Sequence, residues 1–180
     1  MNTIKNLKDF SFLETDYDYQ NELTKKLDGL VGKEFDQEII NEIVLWKVNR
    51  YALLDDHTLT LLNSIGASGT LLNKDLTIEI LRKMLDTKGI RLPIASTILR
   101  FKNPKIYQII DQRVFRYIYG EELNLGAPSS KNMDAQIELY LKYLEELQRI
   151  AKETGWDFSK LDRILYSKDI KLNPDFKIKY

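Results

Sequence analysis

The stretch Lys88-Gly89-Ile90-Arg91-Leu92-Pro93-Ile94-Ala95-Ser96-Thr97-Ile98-Leu99, continued by Tyr107-Gln108-Ile109-Ile110-Asp111-Gln112-Arg113-Val114-Phe115-Arg116, decides how this chain is read. Before it, Leu76, Ile80, Leu81 and Met84 recur at helical spacing and predict a helix from about Lys74 to Leu85. Gly89 breaks that helix. Pro93 suits the first turn of the next one, because a proline there gives up an N–H that no carbonyl would accept. The second helix therefore runs from Pro93 to Phe101 and stops at Asn103-Pro104. A short helix or turn leads on to Ile110. Asp111 then has the character of an N-cap for a helix Gln112 to Tyr119, closed by Gly120.

The same periodicity extends outward in both directions. Upstream it predicts helices from about Tyr17 to Leu30 ending at Gly32, from Asp36 to about Tyr51, and from about Asp55 to Ile65 ending at Gly66. Downstream, Glu121 to Ser130 reads as a loop. A long helix follows from about Met133 to Thr154, stopped by Gly155, and another from about Ser159 to Ser167. The tail Leu172 to Tyr180 reads as irregular or extended. No alternating pattern of the strand type competes, so the fold class is all-α, with about eight helices. At 180 residues the chain suits a single domain, either one body or two lobes joined near Glu121–Ser130.

Composition removes many chemistries. There is no cysteine, which excludes disulfides, thiolate metal sites and cysteine nucleophiles. His57 is the single histidine, without metal-ligand spacing around it, and reads as a surface or first-turn residue. No phosphate-cradling loop of the Walker type and no dinucleotide fingerprint is present. No metal and no cofactor are expected. The opening residues Met1 to Asp9 are polar and lack the apolar core of a signal peptide, and no apolar run approaches a membrane span. The chain reads as cytoplasmic, with no membrane partner.

Charge is balanced overall but uneven locally. Lys plus Arg and Asp plus Glu both number 27. Ten acidic and three basic residues lie between Asp9 and Glu42, whereas ten basic and four acidic residues lie between Lys74 and Arg116. The second stretch is thus +6. Neutral overall charge argues against strong non-specific nucleic-acid binding, which is driven by phosphate neutralisation. The basic stretch is the surface that would carry any binding, weakly and with steep salt dependence.

A helix, a tight turn at glycine and a second helix that begins with small and apolar residues make a helix-hairpin-helix. Such a turn exposes backbone N–H groups beside a helix N-terminus, a natural anion site. From about Ile80 to Tyr119 the chain resembles the helix-hairpin-helix (HhH-GPD) superfamily of base-excision DNA glycosylases. Gly89-Ile90-Arg91 stands at the hairpin, Ala95 in the small position of the second helix, and Asp111 at the position of the family's catalytic aspartate. The resemblance implies phosphate contacts at the hairpin and hydrolysis of a base–sugar bond. Arg91 replaces the hairpin's usual second glycine. Pro93 stands where bifunctional members carry a Schiff-base lysine, which implies a monofunctional enzyme without lyase activity.

Asp111 reads in two compatible ways, as a carboxylate that stabilises a cationic sugar or as a cap alone. Lys88, Gly89, Arg91 and Arg113 are the candidates for DNA contact, against ordinary exposure to solvent. Trp46 is either the wall of a pocket for a flipped base or a core aromatic of the second helix. The tyrosines Tyr107, Tyr117, Tyr119, Tyr140 and Tyr143 read as packing residues. Three functions remain open: a glycosylase-like DNA-binding protein, a non-catalytic interaction or nucleic-acid-sensing module of the same fold, and an enzyme for a nucleoside or small glycoside.

Overall fold

The computed structural model describes residue 4 and residues 21–48, 54–87, 89–126 and 130–176. Among them are eight α-helices and no strand: α1 (Asn21–Asp28), α2 (Gln37–Val48), α3 (Asp56–Asn63), α4 (Lys74–Asp86), α5 (Leu92–Lys102), α6 (Gln112–Tyr119), α7 (Ser130–Thr154) and α8 (Leu161–Leu172). A 3-10 turn, Phe158–Lys160, precedes α8. The all-α expectation therefore holds for the described residues.

Local chemistry sets most of the helix ends. The side chains of Asp55, Asn73 and Asp111 accept hydrogen bonds from Thr58, Leu76 and Val114, each satisfying an orphan N–H in the first turn behind it. Gly120 closes α6 in the left-handed region, with φ of 80°, which glycine adopts without steric penalty. Gly89 does the same in the turn between α4 and α5, with φ of 89°.

Helix α5 is the centre of the molecule. Of its residues only Pro93 is not buried. It packs on α2 and α4, while α3 and α7 also pack on α4 and α6 packs on α8. A single apolar cluster joins Leu27, Ile43, Leu81, Ile98, Ile118, Leu144 and Leu165, so both sides of the Glu121–Ser130 linker share one core. Burial of this continuous apolar surface is the main force holding the helices together.

The segment read as a short helix or turn is a turn at residues 104–106, followed by buried irregular chain at 107–110. Two boundaries differ from the sequence reading. Helix α7 starts at Ser130 instead of Met133. Helix α8 runs to Leu172 instead of Ser167, because Asp169 in its last turns is completely buried and ion-paired with α6. Lys88, Tyr17 to Gln20 and Tyr51 fall outside the described residues. No described helix is long and apolar enough to cross a membrane.

Candidate functional site

The segment that delivers Asp111 is a buried strap, Ile106 to Ile110, lying between α5 and α6. A buried irregular segment must find partners for its own N–H and C=O groups, since it has neither a helical ladder nor water to supply them. Here the partners are side chains from distant helices. Tyr140 and Tyr143 of α7 donate their hydroxyls to the carbonyls of Gln108 (2.9 Å) and Ile109 (2.7 Å). The N–H of Ile110 donates to Ser96 on α5 (3.2 Å), and that of Ile109 to the carboxylate of Asp162 on α8 (3.4 Å). Gln108 turns inward, donating to the carbonyls of Pro104 and Tyr107 and accepting from the N–H of Asp162. At the upstream end, Asn103 donates to the carbonyls of Gly66 and Gly69 and anchors the strap to the α3–α4 loop.

Asp162 is itself held in a charged group that joins three helices. Arg100, buried on α5, lies 3.3 Å from Asp162 and 2.6 Å from Asp28 at the end of α1. It also donates to the carbonyl of Ser159, and Arg163 joins it on Asp28. Opposite charges within hydrogen-bond range offset the desolvation that would make a lone buried arginine costly.

Asp111 emerges at the end of this scaffold, half-buried. Its Oδ1 accepts from the N–H of Val114 at 2.8 Å, the N-cap bond expected from the sequence. Among the described residues Oδ2 has no hydrogen-bond partner. The Tyr143 hydroxyl is held well above its ordinary pKa, first by burial and then by the charges of Asp111 and Asp162. Asp111 thus lies within electrostatic reach of the tyrosine that fixes the strap. Its surroundings leave one carboxylate oxygen for work beyond capping.

The other candidate residues are scattered. Gly89 occupies the α4–α5 turn in the left-handed region, and the N–H of Ile90 donates back to the carbonyl of Thr87. Arg91 is the exposed N-cap of α5 and makes no capping bond with its side chain. The turn is flanked on both sides by buried apolar residues, Met84 before it and Ile90 and Leu92 after it. Arg113 is partly buried, and one nitrogen of its guanidinium pairs with Asp169 at 3.2 Å. Trp46 is in the core. Its indole donates to Thr24 at 2.8 Å and its ring meets Phe101 edge-on at 5.4 Å, far from the role of a pocket wall. His57 is exposed in the first turn of α3.

The +6 stretch does not form a free basic face. Lys74 pairs with Glu145 and Arg82 with Asp134, while Arg100, Arg113 and Arg116 are held by buried aspartates. Lys102 is buried too. It donates to the carbonyl of Lys33 and to Asn63, lies 4.8 Å from the Phe35 ring, and has its pKa pushed down by burial. Six of the ten basic residues are therefore engaged inside the protein or across helices.

Sequence reasoning missed Gln108, Asp162 and Asp169, whose roles depend on pairings more than fifty positions apart in the chain. It assigned Tyr140 and Tyr143 to packing, which they do, but not to the hydrogen bonds that fix the strap. Compared with family models, with curated proteins and with solved structures, the chain matches none of them.

Proposed function

We propose that this chain is a base-excision glycosylase-like DNA-binding protein, monofunctional in its chemistry, with Asp111 as the group that acts on the sugar. The observation that carries the reading is Asp111 itself: a half-buried carboxylate with one oxygen tied to Val114 and the other free, delivered by a strap fixed from α5, α7 and α8. Preorganisation of this kind is what electrostatic catalysis requires, since a fixed charge needs no reorganisation as the reaction proceeds.

The chemistry follows from a carboxylate in that position. As the C1′–N bond of a nucleotide breaks, the electron pair leaves with the base and the sugar becomes an oxocarbenium ion. The Asp111 carboxylate stabilises that cation and orients a water, which adds to C1′ and passes its proton, by way of the carboxylate, to the departing base. The products are a free base and an abasic site. Pro93 offers no amine at the position discussed above, so the strand is not cut through a Schiff base.

Incubation with duplexes carrying damaged and mismatched bases tests the reading. Base release is expected from the wild type, with a loss on the order of 100-fold or more in Asp111→Asn. No covalent adduct should be trapped with borohydride. Absence of base release from the whole panel would leave the non-catalytic module as the surviving function. That second reading is favoured by the burial of Arg100, Lys102 and Arg116, which keeps three of the ten cations of the basic stretch from DNA.

A further inference from the structure

Asp169 is completely buried on α8 and accepts hydrogen bonds from two arginines of α6 and one asparagine. Arg116 grips it through two nitrogens, at 3.2 and 2.5 Å, and Asn173 adds a bond at 3.0 Å. Arg113 reaches the same carboxylate through a single nitrogen at 3.2 Å. No other carboxylate of the described residues lies within ion-pair distance of either arginine. Two guanidinium charges thus share one carboxylate charge, and the cluster is left at +1.

Burying an uncompensated charge is costly, so a cluster of this kind favours an anion at whichever member meets solvent. Arg116 is closed off, its side chain 6% exposed, but that of Arg113 is 20% exposed. Of the five N–H donors on the Arg113 guanidinium, the bond to Asp169 uses one. The Tyr166 ring lies 5.8 Å from its carbon, within cation–π range. A planar, oriented fork with spare donors suits the oxygens of a phosphate better than a single-atom anion.

We propose that Arg113, oriented by Asp169 and Tyr166, is the phosphate-binding residue of an anion site at the start of α6. Arg113 lies two positions after Asp111. On the reading of Asp111 proposed above, the phosphate is a DNA phosphodiester next to the reacting sugar, and this part rests on that reading. The phosphate site itself does not.

Thermal melting at constant ionic strength tests the site, with chloride replaced by inorganic phosphate in one arm and a short DNA duplex added in the other. Phosphate at ten times its dissociation constant should raise the wild-type midpoint by roughly 3–6 °C. Arg113→Gln should weaken the effect about tenfold in phosphate concentration. Its fold is kept by Arg116 and Asn173, which still satisfy Asp169. Arg113→Lys, with the charge but without the fork, should fall between the two. Equal shifts in wild type and Arg113→Gln, or no shift with either ligand, would overturn the proposal. A shift with phosphate but not with duplex would keep the site and discard DNA as the source. Asp111→Asn should retain both shifts, so loss of base release in that variant reports on the reaction alone.

Discussion

Tyr143 on α7 donates its hydroxyl to the carbonyl of Ile109 at 2.7 Å, two residues before Asp111. One buried side chain thereby connects the longest helix to the backbone that delivers the candidate catalytic group. Tyr143→Phe keeps the ring and its packing but leaves the Ile109 carbonyl without that donor in a dry environment. The expected cost is about 1–3 kcal/mol, measured as a lower denaturant midpoint with an unchanged slope.

Capping and chemistry at Asp111 separate by substitution. Asp111→Ala removes the bond to the N–H of Val114 and should cost about 0.5–2 kcal/mol. Asp111→Asn keeps a good cap, so its stability should lie close to that of the wild type. Chemical denaturation of the two variants checks both values. An equal loss in each would mean that the charge of Asp111, and not its cap bond, stabilises α6.

Removing Asp169 should be among the most damaging single changes in the molecule. Asp169→Ala leaves Arg116 buried and Arg113 part-buried without their shared carboxylate, at an expected cost of about 3–5 kcal/mol. The double change with Arg116→Met should recover part of that loss, because it removes one of the stranded charges. Comparison of the melting midpoints gives the answer.

The buried tyrosines set an alkaline limit. Burial raises the hydroxyl pKa of Tyr107, Tyr117, Tyr140 and Tyr143. In the unfolded chain each would ionise near 10. Their contribution is fully present below that pH and is lost as pH rises above it, because the unfolded state then releases protons that the folded state retains. Each tyrosine removes about 1.4 kcal/mol per pH unit in that window. Lys102 acts in the opposite sense: its lowered pKa makes its contribution rise with pH between the folded and unfolded values. Four tyrosines outweigh one lysine. Stability should fall above about pH 10, as followed by denaturant midpoints against pH.

The α4–α5 turn depends on one glycine. At Gly89 φ is 89°, where a Cβ is unfavourable by roughly 1–2 kcal/mol. Gly89→Ala should therefore lower the melting midpoint by roughly 2–8 °C, whereas Arg91→Ala, at an exposed cap without a capping bond, should leave it nearly unchanged.

Much of this architecture is local and was therefore legible from residue order. Helical periodicity, the glycine stops at Gly89, Gly120 and Gly155, the proline at the start of α5 and the cap at Asp111 each act over a few residues. Their reading survives in the folded molecule because nothing distant competes with it. The strap at Ile106–Ile110 is different. Its sequence is apolar enough to continue as a turn of helix, and it is irregular because Tyr140, Tyr143, Ser96 and Asp162 satisfy its backbone from elsewhere. The basic stretch shows the same limit. Ten cations counted along the chain predict a positive face, but Asp28, Asp162 and Asp169 meet Arg100, Arg113 and Arg116 only after helices far apart in sequence have packed. Charge pairing in a folded core depends on distance in space, to which periodicity and spacing along the chain are blind.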